Sequence, residues 1–173
     1  MARKPMAGVL DAAFAKKVSR SNAAEIAVSK VVLERGSTQA VKDLAQMLIT
    51  DHTNAQNNLR DIARTKDMAL PEKPDAAQQA REKKLRAMSG VALEKQYVAG
   101  QIQAHAQAIA LFQGQARSGK DPELRRFATE TLPNLQAHAR HVQQVAQQLG
   151  VPISKRQQMR MPDSGPAISP ERQ

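Results

Sequence analysis

The stretch VKDLAQMLITDHTNAQNNLRDI, residues 41–62, decides the fold of this protein. Val41, Ala45, Leu48, Ala55, Leu59 and Ile62 recur at alternating spacings of three and four, the period of an α-helix that turns one face to a core. His52 stands in the middle of that face. Apart from Leu44, Met47 and Ile49, the residues between are Lys, Asp, Gln, Thr, Asn and Arg, suited to the solvated side of the same helix.

Outward from this segment, Gly and Pro mark the breaks. A first long helix is predicted from about Val9 to Arg35, stopping at Gly36, with Ser37 as N-cap of the second, which continues to about Asp67. Leu70-Pro71-Glu72-Lys73-Pro74 ends it. A shorter polar helix, about Asp75 to Met88, reads as a crossover before Ser89-Gly90. The third long helix is predicted from about Val91 to Arg117. The fourth starts at the Asp121-Pro122 signal and runs to Leu149, with Gly150 and Pro152 past its end. Pro133 lies inside it and removes a backbone donor, so a kink or loosened turn is expected there. The fold class is therefore all-α: an antiparallel four-helix bundle with a short crossover helix between the second and third long helices. By this reading residues 1–8 form an N-terminal extension, 9–150 the bundle, and 151–173 a basic tail whose Pro, Arg, Gln and Ser content reads as disordered or strap-like.

The other three long helices carry the same kind of seam. The first reads Phe14, Val18, Ser21, Glu25, Val28, Val32; the third Val98, Ile102, His105, Ile109, Phe112, Ala116. The fourth reads Leu124, Ala128, Thr131, Leu135, His138, Val142, Val145, Leu149. Each seam is apolar or small except for one strongly polar residue: Glu25, His52, His105 and His138. All four lie about four turns into their helices, so they fall at one level whichever way the helices point. Three of the chain's 4 histidines are placed this way, which makes chance a poor explanation.

Imidazole nitrogen and carboxylate oxygen bind divalent first-row metals, and the helices of a bundle present such groups inward on rigid supports. Three His and one Glu suit zinc, iron, copper or manganese, with Asp51 and Glu130 as acceptors for imidazole N–H behind the ligands or as further ligands for a second ion. His141, one turn after His138, is expected to be exposed. The alternative is a metal-free structural or interaction module, in which the four polar groups form a network that sets helix register and the basic surface or tail binds a partner. A metal-dependent oxidase or hydrolase would require an open coordination position and a substrate channel, of which the pattern gives no sign.

Composition narrows the field. The absence of cysteine excludes disulfides, thiolate nucleophiles and cysteine-ligated metal clusters. The methionines are not clustered; Met47 and Met88 read as core filler rather than copper ligands. No run approaches the roughly 18 apolar residues of a membrane helix. The segment Met1–Arg20 is interrupted by Asp11, Lys16 and Lys17 and does not read as a signal-peptide core; an exported protein would have this sequence as its mature form, and a cytoplasmic location stays open. The net charge is +10. Its lysines and arginines are spread over every helix among acids, and only 2% of residues are aromatic, which argues against nucleic acid. An acidic protein or anionic surface met by the basic face or tail remains as partner.

With these residues in view, the chain resembles the bacterial ferritin-like family catalogued as domain of unknown function 4142. The resemblance rests on Ala23-Ala24-Glu25, on Met47-Leu48-Ile49-Thr50-Asp51-His52, on Tyr97 with Ala104-His105, and on Phe127-Ala128-Thr129-Glu130-Thr131-Leu132-Pro133 through His138. It covers roughly Asp11 to Ala146 and implies a ferritin-like bundle, usually in proteins exported to the periplasm, without an established activity. Members often carry Phe-Asp where this chain has Leu93-Glu94, a carboxylate of longer reach. The paired Glu-x-x-His motifs of di-iron ferritins are lacking, so the resemblance to true ferritins is one of architecture.

Overall fold

The computed structural model describes residues 8–155. Among the described residues the chain forms five long or medium helices: α1 (Val9–Arg35), α2 (Gln39–Thr65), α3 (Ala76–Arg86), α4 (Gly90–Ser118) and α5 (Pro122–Leu149). Among the described residues there is no strand, and no helix is long and apolar enough to cross a membrane. Residues 1–7 and 156–173, which include most of the predicted extension and tail, lie outside the described residues. The start of the predicted tail is packed: Val151 is buried and Ile153 rests against the core.

The helix ends follow local chemistry where local partners exist. Asp75 and Gln78 form a reciprocal capping box at α3, each side chain accepting the other's backbone N–H at 2.8 Å. The Asp121 carboxylate accepts from the N–H groups of Glu123 (3.1 Å) and Leu124 (3.0 Å), with Pro122 in the first turn of α5. Gly150 ends α5 in the left-handed region, φ 67°, which a side chain would resist. α5 is continuous through Pro133, although the ring leaves the Thr129 carbonyl without its usual donor.

The α1–α2 turn departs from the expectation. Thr38, not Ser37, stands at the N-cap position of α2, and neither side chain caps that helix. The carboxylate of Glu94, reaching in from α4, takes the N–H groups of Ser37 and Thr38 at 2.7 Å each and the Thr38 hydroxyl at 2.6 Å. A charged acceptor from another helix thus holds the two N–H groups that lead into α2. Gly36 makes room for it: a Cβ there would stand 2.6 Å from the Val32 carbonyl and 3.3 Å from the Glu94 carboxylate.

α1 packs along α2 and α4 along α5; the two pairs meet through α1–α4 and α2–α5, while α3 crosses α1 and touches α4. Leu48, Leu59, Leu93, Ile102 and Leu124 are fully buried between them, each worth about 1.5–3 kcal/mol of transfer free energy. Phe14, Phe112 and Phe127 fill one region of this core, with ring centroids 5.1–6.4 Å apart. The α4–α5 turn is also held from a distance, by Asp11 of α1. Its carboxylate accepts from Gln115 Nε2 (2.6 Å) and from the N–H groups of Lys120 (3.1 Å) and Asp121 (3.2 Å). The nearly buried ammonium of Lys66, at the end of α2, bridges Asp121 (2.8 Å) and Glu123 (2.6 Å). The four long helices are thus tied at their turns, and the polar residues of their middles are held at a defined level.

Candidate functional site

His52 of α2, His105 of α4 and His138 of α5 converge in the interior, with ring centroids 5.5–6.0 Å apart. One ligating nitrogen from each lies within 4.8 Å of the other two. All three side chains are buried, and each ring is held by one of its nitrogens. His105 Nδ1 donates to the Gln101 carbonyl at 3.0 Å, one helical turn back. His138 Nε2 donates to the Asp51 carboxylate at 2.8 Å. His52 Nδ1 meets Asn22 Oδ1 at 2.9 Å. The opposite nitrogens (His52 Nε2, His105 Nε2 and His138 Nδ1) find no hydrogen-bond partner within the protein.

Carbonyl and carboxylate oxygens only accept, so the tethered nitrogens of His105 and His138 carry their protons and the free ones carry lone pairs. Burial pushes His105 down to about 4, helped by His138 and opposed by the Gln101 carbonyl. Burial also lowers His52, with His105 and His138 adding to the effect. For His138 burial outweighs the opposing pull of Asp51. At neutral pH the three rings are therefore neutral, the protonation state in which imidazole is a ligand.

Glu25 of α1 is buried close by but is not a member of the tightly spaced histidine set. It is hydrogen-bonded to the Gln101 side chain, which connects it to the residue whose carbonyl holds His105. Burial raises its carboxyl to about 7, against the lowering effects of Gln101 and Arg81. Its Oε2 and Gln101 Oε1 are, like the histidine nitrogens, buried without a partner in the protein. A cavity of about 810 Å³ reaches this region, lined by Glu25, Asp51, His52, Gln101 and His138 among others. Glu130 lines the same cavity but is exposed and pairs with Arg126 at 3.5 Å. His141 is exposed. Tyr97 is buried with its hydroxyl 2.8 Å from Ser29 Oγ; burial pushes the hydroxyl's pKa up, against the Ser29 hydrogen bond and with a smaller contribution from Glu25.

Asn22, Gln56 and Gln101 form a polar lining absent from the sequence-based seams. Each lies one helical turn from a residue of the polar layer: Asn22 before Glu25, Gln56 after His52, Gln101 before His105. That spacing was the available signal, and taking only the apolar stripe passed over it. Ser19, two turns before Glu25, belongs to the same lining.

The fold has relatives among solved structures. A DUF305 fragment from Deinococcus radiodurans superposes with a TM-score of 0.74 at 18% identity, covering 84% of this chain and 99% of that one. A DUF305 protein from Streptomyces coelicolor, described as a candidate secreted protein, gives 0.70 at 17% identity, over 84% and 96% of the two chains. Identities this low show a shared fold alone. No curated protein matches the sequence. The profile of the family described as Domain of unknown function (DUF4142) matches residues 1–145, most of the chain, and this protein belongs to that family.

Proposed function

We propose that this protein is a divalent-metal-binding helical bundle, ferritin-like in architecture, in which His52, His105 and His138 hold one ion and Glu25 supplies a nearby carboxylate. The observation that carries the reading is a set of three buried histidines that bring a nitrogen each within 4.8 Å of one another, every ring tethered through one nitrogen and left bare at the other. Metal-binding histidines are oriented in this manner, by a carboxylate, a carbonyl or an amide oxygen behind the ring. A tetrahedral ion at about 2.0–2.1 Å from each nitrogen needs them about 3.3 Å apart, a modest contraction through ring rotation. Three neutral ligands leave the ion's charge uncompensated, and Glu25 is the buried group able to balance it, as fourth ligand or by losing its proton beside the site. Among zinc, iron, copper and manganese, three imidazoles suit the first three best, and manganese would lean on the carboxylate. The pairwise packing of α1, α2, α4 and α5, with α3 as the crossover, supports the antiparallel four-helix description over residues 9–150.

A metal-free network that only sets register is the competing reading. It would have to satisfy its own members, yet four ligand-type atoms here, counting Glu25 Oε2, have no partner in the protein. Buried polar atoms left in that condition cost about 1–3 kcal/mol each. An extracytoplasmic location is part of the proposal, supported by the family resemblance and the description of the Streptomyces relative.

The test is elemental analysis of protein purified without a histidine tag, paired with thermal unfolding with and without chelator. The expected result is near one equivalent of metal, lost together with stability on chelation and on His105→Ala, because a ligand of the folded state alone must stabilise it. Protein that carries no metal, and whose melting is unmoved by added zinc, iron, copper or manganese, overturns the reading.

A further inference from the structure

His52 is the one histidine of the three whose tether is an amide, a group that can present either an oxygen or an NH2 to the ring. Its tautomer is therefore not settled by its immediate partner. It is settled four hydrogen bonds away. The Pro71 carbonyl, in the linker between α2 and α3, is 2.7 Å from Ser19 Oγ. A carbonyl only accepts, so the hydroxyl must direct its single proton there. Ser19 Oγ is then an acceptor toward Gln56, whose Nε2 stands 2.7 Å away. With its amide nitrogen so engaged, Gln56 presents Oε1 to Asn22 Nδ2 at 3.0 Å. Asn22 in turn presents Oδ1 to His52, and Nδ1 of the ring must carry the proton at 2.9 Å. Nε2 is left as a bare lone pair, on a ring whose centroid lies 6.0 Å from that of His105 and 5.7 Å from that of His138.

We propose that the α2–α3 linker sets the metal-ready tautomer of His52 through a one-way relay: Pro71 carbonyl, Ser19, Gln56, Asn22. With the proton on Nε2 instead, His52 would offer no lone pair on the nitrogen that has no partner in the protein. Ser19, Asn22 and Gln56 are buried, so water does not compete freely for these bonds. They act through His52 as positioning residues, and the linker becomes a control point for the site. The consequence for affinity rests on the metal reading; the tautomer does not.

The test uses the full 15N-labelled chain, stripped of metal, with long-range imidazole 1H–15N spectra, and Zn2+ affinity measured by competition with a chromogenic chelator. In the wild type His52 is expected with its proton on Nδ1. Ser19→Ala removes a hydroxyl hydrogen-bonded to neither His52 nor Asn22, yet it frees Gln56 to turn over; the Nε2–H form should appear and Zn2+ affinity should fall by severalfold. Asn22→Leu removes the acceptor itself and should lower affinity about 10- to 100-fold, the usual effect of losing the group behind a ligand. Asn22→Asp, a pure acceptor, should restore the Nδ1–H form and most of the affinity. A His52 tautomer that stays on Nδ1 in both Ser19→Ala and Asn22→Leu, or that is on Nε2 in the wild type, overturns the relay. Should the tautomer move as stated while the wild type binds no Zn2+, the relay stands and the metal reading falls.

Discussion

Glu94 and Glu25 are the same residue type, both buried in one core, and they are built in opposite ways. Glu94 is 0% exposed and its two oxygens receive the N–H groups of Ser37 and Thr38 and the Thr38 hydroxyl. Burial alone would raise its carboxyl, but these donors outweigh burial and hold it below the usual range. Glu25 is 6% exposed, has one oxygen without a partner in the protein, and is pushed up to about 7 by burial. A fully satisfied buried carboxylate is a structural lock on a turn. A half-satisfied one, buried in the same core as three imidazoles that each keep a bare nitrogen, is the group that the proposed function assigns to balancing an ion.

The comparison breaks most visibly at Glu94. Glu94→Ala strands the donors of the α1–α2 turn and should destabilise the protein by about 3–5 kcal/mol in denaturant unfolding, with Zn2+ affinity little changed among molecules that fold. A loss below about 1 kcal/mol would show that water replaces the carboxylate and that the lock is nominal.

Acid should reveal the histidine side. A buried base with a depressed folded-state pKa takes up protons more readily when unfolded, so its contribution is fully present above about 6.5 and is lost as pH falls toward about 4, the His105 value. His52 and His138 shift in the same direction. The metal-free protein should lose on the order of 3 kcal/mol across that window. His105→Phe, if it folds, should flatten the loss in thermal scans taken at successive pH values.

Glu25 runs the other way. Its folded-state pKa is raised from 4.5 to about 7, so the stability it contributes is present below 4.5 and is lost as pH rises through about 7. Without metal, Glu25→Gln should therefore match the wild type near pH 4.5 and become more stable than it by about 1–3 kcal/mol in alkaline buffer. With a divalent ion bound the advantage should vanish or reverse, since the amide cannot balance the charge. An advantage that persists with saturating Zn2+ would detach Glu25 from the site. The smallest effect belongs to Thr38→Val, which removes one of Glu94's donors and should cost about 1 kcal/mol, read as a small shift in denaturation midpoint.

Periodicity and punctuation placed the helices within a few residues, because helix ends are local events: Asp121-Pro122 and Gly150 act on the turns that contain them. The Ser37 expectation failed for the opposite reason. Its N–H is taken by a residue 57 positions away, and no local rule reports a partner at that distance.

Seam spacing carries one coordinate, depth along a helix, and Glu25, His52, His105 and His138, alike in depth, are all buried. What depth cannot specify is rotation and reach. Only the packing of α1 against α2, and of α4 against α5, decided that each of the three imidazoles brings a nitrogen within 4.8 Å of the others while Glu25 turns to Gln101. The same holds for Ser19, Asn22 and Gln56, which as isolated letters are ordinary helix-surface residues. They became a buried directional chain because two helices and a linker meet there, with bonds spanning 30 to 52 residues. By itself the sequence determined which helices form and which polar residues share a level, since those depend on spacing along the chain. Tertiary structure alone decided which atoms face which, because hydrogen-bond direction and lone-pair convergence are set by neighbours brought together only in the folded molecule.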